Sequence, residues 1–481
     1  MTSLVSRLRL AGPVTPTDRL AIVLLAMLVV LQAVTTLLTL RYFPDGFWTE
    51  NWYHPAAVNL LQHGIYGFGA PPDIVPTTMR PPLYTVALAG LYGLFGPSEV
   101  VGVLFNNGLL TLSVALTYLI GRRLSPMVGL LAALVPVLDS IYLSEANRNQ
   151  SDLLFTFLIV LGIYCTLRAC ERPLVLRWAL ATGVVFALAT FTRAAGLYIW
   201  PMLVILLLIV HWRHAPKRKL LFAVALVAAV NAAVILPWMA RNAGITGNSE
   251  YAGMKGHHIV HFYAPHFIAR RDGVSYAEAE RRINLWVKDL VGNQTLTEGE
   301  REKLLSRYGS QLIRENLADA LLVLPANIPR MFFSYASESI AVFLGEKRFK
   351  AWYARYQNDL DAGNTPTSGL GNLLRYYVDT GLIVIIGYGA LVKALTIGVL
   401  GLGGIGCILL LWSRDHRKFA LGLSIFLICG ILTATAIIAT QGRFRLPVMP
   451  GLAVAAAFTL TQAWAWLRSR RGGRAHAAAE A

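Results

Sequence analysis

Cysteines and charged residues, acids above all, are scarce in this chain. Of its 481 residues only 14% are charged, and 26 acidic residues stand against 43 lysines and arginines. The four cysteines lie within apolar runs, which favours packed thiols over a disulfide framework. Hydrophobic residues make up 56% of the chain, and this composition indicates a membrane protein.

The basic residues gather in short segments between the apolar runs. The positive-inside rule predicts that these segments, and both chain ends, face the cytoplasm. The segments are residues 7–19, 122–123, 168–177, 213–219, 414–418 and 468–474. Because the charges lie at helix ends, contact with anionic lipid explains the net charge of +17, and no nucleic-acid partner is expected.

Apolar runs of membrane-spanning length recur along the chain and predict an all-α, polytopic membrane protein. Ten spans, alternating from a cytoplasmic N-terminus, keep every basic segment on one side. The predicted spans are residues 20–40, 98–121, 126–143, 152–169, 177–196, 197–213, 219–239, 390–412, 419–440 and 447–468. The apolar segments 82–96 and 371–388 are interpreted as lying in the outer interface, because 82–96 is too short to cross easily.

This topology divides the chain into parts. The parts are an N-terminal transmembrane module at 1–239 with an acidic outer loop at 41–97, a large outer loop with helices at 240–370, a C-terminal transmembrane module at 371–468 and a basic cytoplasmic tail at 469–481. Within the large loop, Ser275 with Glu278 and Thr297 with Glu300 have the spacing of capping boxes and predict helix starts.

Three acids are predicted on the outer side. Asp45 and Glu50 lie in the first outer loop, just before residues whose spacing predicts a short helix from Tyr53 to a glycine cap at Gly64. Asp152 begins an apolar run, where an ionisable residue indicates function. Each acid alone is explained as a solvated residue or a helix cap. Three acids from two loops favour a site.

Five arginines occur on the same side, against the positive-inside rule. They are Arg80, Arg193, Arg241, Arg443 and Arg445. Guanidinium groups there suit bidentate binding of a phosphate, and the alternative is contact with lipid headgroups. Together with the acids they indicate an outward pocket for a phosphate-linked substrate.

Four histidines crowd the start of the large loop. His257 and His258 are candidates for substrate contact, with His261 and His266 close behind. No His-Glu-x-x-His spacing is present, so no metal site is predicted. The sequence requires no cofactor, and a divalent metal is left open.

Several motifs resemble those of the polytopic GT-C glycosyltransferases, most closely the bacterial protein O-mannosyltransferase and aminoarabinose transferase superfamily. The similarity extends from about residue 40 to 460. It rests on Glu50-x-x-Tyr53-x-x-x-Ala57-x-x-Leu60-x-x-x-Gly64, Arg80-Pro-Pro-Leu-Tyr84, Leu94-Phe-Gly96, Gly121-Arg-Arg-Leu124, Pro237-Trp238 with Arg241-Asn242, and Arg443-Phe-Arg-Leu-Pro447 with Pro450.

The resemblance implies a bacterial inner-membrane enzyme. It implies a sugar donor carried on polyprenyl phosphate, a lipid, glycan or protein acceptor, and inverting transfer on the periplasmic face with a carboxylate base. The family's acidic pair falls here on Thr49 and Glu50, so Glu50 and Asp45 both stay candidates for the base. Asp152 matches the second acidic position and Arg80 a charged position before a proline pair. Aromatic residues of the first loop are candidates for sugar contact, with Tyr53 and Tyr84 chosen as substrate residues.

Three other functions are weighed. An O-antigen ligase or polymerase would use diphosphate-linked donors and lack the early acidic loop. An inactive binder of lipid-linked sugar is compatible with Thr49 in place of the aspartate. A secondary transporter would tend to show paired repeats and helices broken at the membrane midplane. The transferase ranks first, with the sugar and the acceptor left open.

Overall fold

In the computed structural model, 82% of the described residues are helical, which confirms the predicted fold class. The structure describes residues 15–42, 52–247, 249–292, 296–334, 336, 338–361, 378, 383–438 and 441–479. The structure adds one short strand pair that the sequence does not predict. Gly67–Phe68 pairs antiparallel with Val75–Pro76 to form a two-stranded sheet within the first loop.

The helices of the first half of the chain belong either to a bundle or to the first loop between its helices. They are Pro16–Tyr42, Tyr53–His63, Leu83–Phe95, Glu99–Arg122, Pro126–Leu138, Ser140–Ala146, Asp152–Ala169, Leu176–Thr192, the 3-10 turn Ala194–Tyr198, Ile199–His211 and Lys217–Thr246. The Leu83–Phe95 helix has 13 residues, about 20 Å of rise, which is shorter than a membrane core.

The second half begins with a group of polar-surfaced helices and ends with long apolar ones. They are Lys255–His257, the π-helix His258–Tyr263, Ala264–Asp272, Tyr276–Val291, Glu298–Glu315, Leu317–Phe333, Glu338–Ala341, the 3-10 turn Val342–Leu344, Glu346–Asp361, Ile383–Leu411, His416–Ala436, the 3-10 turn Gly442–Arg445 and Met449–Ala479.

Seven helices among the described residues are long and apolar enough to cross a membrane. They are Pro16–Tyr42, Glu99–Arg122, Asp152–Ala169, Ala194–His211, Lys217–Thr246, Gly387–Leu411 and His416–Ala436. An eighth is obtained if Pro126–Leu138 and Ser140–Ala146, bent by 63°, form one broken span. The predicted count of ten is not confirmed. Two predicted spans coincide with the 17-residue Leu176–Thr192 helix and with Met449–Ala479, which are not among the seven.

The Asp152–Ala169 helix lies at the centre of the bundle. Of its membrane-length window, 78% is buried inside the protein. It packs against the Leu176–Thr192 helix, and Gly162 allows the close approach, because a Cβ there would overlap the ring of Phe186. The first turn of this helix therefore has a fixed position, and that turn carries Asp152.

The helices of residues 258–333 build a second, smaller core. Its buried side chains are Val260, Tyr263, Ala264, Phe267, Ile268, Ala279, Ile283, Val287, Leu305, Ala320 and Val323. Both predicted helix starts are confirmed: the Ser275 hydroxyl accepts from the Glu278 N–H at 3.2 Å, and Thr297 and Glu300 form a complete capping box. The side chain of Glu298 ties this group to the first loop by accepting from the hydroxyls of Thr77 and Thr78.

Candidate active site

The predicted first-loop helix is present. It extends from Tyr53 to His63 and ends at Gly64, whose φ of 68° belongs to the left-handed region and whose N–H donates to the Leu60 carbonyl at 3.1 Å. Asp45 and Glu50, the two candidate bases, lie outside the described residues.

Asp152 is bound to an arginine. It is the first residue of its helix, and its carboxylate forms an ion pair with Arg193 while its side chain is 5% exposed. The preceding Ser151 makes no side-chain capping bond. Arg193 reaches Asp152 because the chain is extended there, between the Leu176–Thr192 helix and the turn that follows. The Asp152 carboxylate therefore binds a cation and does not serve only as a cap of its helix.

The first loop is joined to this ion pair through Tyr53. Its buried hydroxyl lies 2.9 Å from the Ser151 hydroxyl, one residue before Asp152. The guanidinium carbon of Arg80 lies 5.2 Å from the Tyr53 ring centroid and 5.2 Å from that of Trp52. Cation–π contact thus holds Arg80 beside the start of the Tyr53–His63 helix.

The C-terminal segment supplies a third arginine. Arg443 donates to the side-chain oxygen of Gln150, two residues before Asp152. The guanidinium carbon of Arg193 lies 5.2 Å from the ring centroid of Phe444. Residues from the first loop, the Asp152 turn and the Gly442–Arg445 turn therefore meet at one end of the bundle.

The pKa of His258 reflects the convergence of these arginines. Burial, followed by the positive charges of Arg80, Arg193 and Arg443, lowers the pKa of His258 to about 4. Three arginines distant in sequence thus act on a single imidazole. The ring is neutral near pH 7 and can donate one hydrogen bond and accept another.

A cavity of about 430 Å³ opens beside these groups. Its polar lining includes Asp152, Arg193, Lys255 and His258, and its apolar walls include Phe155 and Leu432. An arrangement with cations at one edge and an apolar wall behind suits a substrate that combines a phosphate with a hydrocarbon chain.

Arg445 does not fit the phosphate-binding role that the sequence predicts. Its side chain is 0% exposed and forms a bidentate ion pair with Asp139, with Nη2 at 2.7 Å from Oδ1 and Nε at 3.0 Å from Oδ2. It also donates to the carbonyls of Phe332 and Ser334. Enclosure by protein acceptors makes it a structural residue of the turn that carries Arg443.

Arg241 is also engaged with protein groups. It donates to the Thr77 carbonyl at 2.9 Å and its guanidinium carbon lies 4.5 Å from the Trp238 ring centroid. These contacts fasten the first loop to the Lys217–Thr246 helix. Tyr84 is fully buried, with its ring centroid 4.9 Å from that of Tyr53, so it supports Tyr53 instead of facing the cavity.

His257 lies beside the cavity lining, not in it. Its backbone N–H donates to Glu302 and its ring centroid lies 4.6 Å from that of His261. Burial first, and then His261 and His258, lower the pKa of His257 to about 4. Among the described residues, no group of three or more histidine, cysteine, aspartate or glutamate side chains is placed to hold a metal ion.

Sequence reasoning overlooked two acids at this site, Glu250, which lines the cavity, and Glu145. Glu145 is 4% exposed, pairs with Arg148 at 3.4 Å and is close enough to interact electrostatically with Asp152, Arg193 and Arg443. A single acid near a helix end carries no functional pattern of its own. For Glu145 the available signal was its place in the same outer turn as Asp152, seven residues earlier.

The low pKa of His258 has a consequence for stability. An unfolded histidine titrates near 6.5, so below that pH the unfolded chain binds a proton that the folded chain refuses until about pH 4. The free energy of unfolding is therefore expected to fall as pH drops from 6.5 to 4. Thermal unfolding in detergent across this range should show a smaller fall in His258→Asn than in the wild type. An identical pH profile in the two proteins would contradict this placement of His258.

Residues 79–238, about a third of the chain, match the family described as dolichyl-phosphate-mannose-protein mannosyltransferase. The matched segment contains Arg80, Tyr84, Asp152 and Arg193. Over this segment the chain is similar to that family, which agrees with the resemblance to the GT-C glycosyltransferases noted in the sequence. No curated protein matches the chain.

Solved structures with similar folds include three from different organisms. The Archaeoglobus fulgidus oligosaccharyltransferase, in complex with Zn and sulfate, has 14% identity and a TM-score of 0.46 over 92% of this chain and 50% of that chain. ArnT from Cupriavidus metallidurans, bound to undecaprenyl phosphate, has 11% identity and a TM-score of 0.39 over 89% and 78%. The S. cerevisiae Pmt1–Pmt2 complex, bound to the sugar donor, has 21% identity and a TM-score of 0.38 over 56% and 38%. This chain thus spans about half the length of the archaeal enzyme.

Proposed function

We propose that this chain transfers a sugar from a polyprenyl-phosphate donor to a lipid, glycan or protein acceptor on the periplasmic face of a bacterial inner membrane. The observation that carries the proposal is the convergence of Asp152, Arg193, Arg443 and Arg80 around His258 and its cavity. The family match supports this kind of donor, because dolichyl-phosphate-mannose is a sugar carried on a polyprenyl phosphate.

The arginines act on the donor phosphate. As the bond to the sugar breaks, negative charge grows on the departing phosphate, and guanidinium groups fixed beforehand stabilise it. Arg193 is held by Asp152, Arg443 by Gln150 and Arg80 by two aromatic rings. Anchoring through protein contacts is what preorganised catalysis requires, since little reorganisation is then needed during the reaction.

A first-loop acid acts as the base. Glu50, or Asp45, takes the acceptor proton as the new bond forms, a contribution of about 10²–10⁴-fold. Asp152 orients Arg193, and His258 offers a neutral hydrogen-bonding group at the cavity wall. A single displacement of phosphate by the acceptor inverts the anomeric centre and leaves no covalent sugar intermediate.

The basic segments support the proposed sidedness. Residues 122–123 and 213–219 lie at the ends of spans whose other ends approach the site, so the positive-inside rule directs the site outward. The helices of the 240–370 segment are then periplasmic and cover the site, with transmembrane modules at 1–239 and 371–468 and a cytoplasmic tail after them.

Replacing Arg80 or Arg443 with alanine is expected to raise the KM for the donor about tenfold, the cost of a lost charge-assisted contact. Initial rates against donor concentration in purified protein measure this. Arg218→Ala, an exposed residue at the other end of the bundle, serves as the control. Unchanged donor affinity in both variants would remove the arginines from donor binding.

Mass spectrometry of lipids and glycans, from cells with and without the gene, tests the proposed function. We expect one glycosyl mass to disappear when the gene is deleted and to return when the wild type is restored. Of the variants Glu50→Gln and Asp45→Asn, the one that lacks the base should fail to restore it. No change in any lipid or glycan, with the protein well expressed, would contradict the transferase.

A further inference from the structure

A second cavity, of about 410 Å³, lies at the far end of the span that lines the site. The turn Ala194–Tyr198 borders the site cavity, whereas Leu208 to Val210, at the end of the same span, border the second one. Eighteen residues separate the two ends, roughly 27 Å of helix. The second cavity is therefore distinct from the proposed active site.

Four basic side chains line this cavity, and none of its described lining residues is acidic. They are Arg172, Arg213, His214 and His416. Arg172 comes from the turn after the Asp152–Ala169 helix, and Arg213 and His214 from the turn after Ile199–His211. His416 interacts electrostatically with Arg172 and His214. Two segments distant in sequence thus bring arginines to one place, beside imidazoles from the second and a third segment.

Two acids adjoin the lining residues in sequence, and both are engaged. Glu171, next to Arg172, pairs with Arg123 and Arg168. Asp415 caps the His416–Ala436 helix by accepting from the Arg417 N–H at 2.9 Å. The amino end of that helix adds partial positive charge to the cavity. An anion entering the cavity therefore meets two arginines and the positive end of a helix dipole.

The other wall of the cavity is apolar, and part of it is exposed on the outside of the bundle. Leu208, Ile209, Trp212 and Phe419 line it, and Ile209 and Trp212 are 50% and 53% exposed. Lys217 lies 4.1 Å from the Trp212 ring centroid, a pairing suited to a membrane–water interface. A soluble anion would gain nothing from such a wall, whereas an acyl chain would.

We propose that this cavity binds an anionic phospholipid, with its headgroup phosphate between Arg172 and Arg213 and an acyl chain along Leu208 and Ile209. Each arginine near an anionic lipid contributes about a tenfold preference or less. The site does not depend on the transferase proposal, since its residues lie at the opposite end of the bundle.

Native mass spectrometry of the full chain tests the site. Purified protein is titrated with phosphatidylglycerol or with phosphatidylcholine of the same acyl chains. We expect tighter retention of phosphatidylglycerol, and at least about a tenfold weaker affinity in Arg172→Gln/Arg213→Gln. The matched control is Arg177→Gln/Arg218→Gln, which removes two exposed arginines outside the cavity, from the helices that follow the same two turns, and should stay within about twofold of the wild type.

Three outcomes would overturn the proposal. One is equal retention of the two lipids, and another is an equal loss in the control double variant. The third is displacement of phosphatidylglycerol by millimolar inorganic phosphate, which would assign the cavity to a free anion. Circular dichroism of each variant separates loss of the site from loss of the fold.

Discussion

Asp152→Asn is expected to lower the rate of sugar transfer by at least about 100-fold, the size of effect seen when a preorganised charged contact is lost. Asparagine has the same shape but no charge, so Arg193 loses its counter-ion at a site where Asp152 is 5% exposed. The guanidinium is then free to reorient, and the donor phosphate loses a fixed partner.

The measurement is product formation in membranes of a strain lacking the gene, complemented with each variant at matched expression. Asp73→Asn is the control, because Asp73 is an exposed acid in the first-loop segment and should retain full activity. Full activity in Asp152→Asn would exclude Asp152 from the chemistry and leave the first-loop acids as the only carboxylates of the mechanism.

Arg445→Met is expected to destabilise the protein by about 3–5 kcal/mol, because it leaves Asp139 buried and without its ion-pair partner. Asp139 also caps the Ser140–Ala146 helix by accepting from the Ile141 N–H at 3.1 Å. The loss should therefore spread to the bend between the two halves of the broken span.

Thermal unfolding in detergent measures this effect, and a double variant gives the control. Asp139→Asn/Arg445→Met removes the uncompensated charge while asparagine still caps the helix, so it should unfold at a higher temperature than Arg445→Met alone. A single variant as stable as the wild type, or a double variant no better than the single, would contradict the stabilising role of this ion pair.

Local features of the fold are predictable from sequence because local physics determines them. The helix from Tyr53 to Gly64 follows from residue spacing and a glycine that adopts a positive φ. The starts at Ser275 and Thr297 follow from side-chain caps three residues from their partners. Each of these signals acts within one or two turns.

The partnerships within the site depend on tertiary packing instead. Asp152 and Arg193 are 41 positions apart and meet because two helices pack closely through Gly162. Arg445 was predicted to face a phosphate, yet it is buried against Asp139, which lies 306 positions away. Hydropathy does not reveal such a partner, and it also does not reveal the 63° bend within one of the predicted spans.

The most direct test of transfer uses purified protein with membranes from the deletion strain. We expect the wild type to convert a polyprenyl-phosphate-linked sugar to free polyprenyl phosphate, with an equal amount of sugar gained by one acceptor, and Asp152→Asn to convert little. Loss of the donor from one leaflet without cleavage would identify a transporter, and binding without turnover would identify an inactive binder. Either result would contradict sugar transfer by this chain.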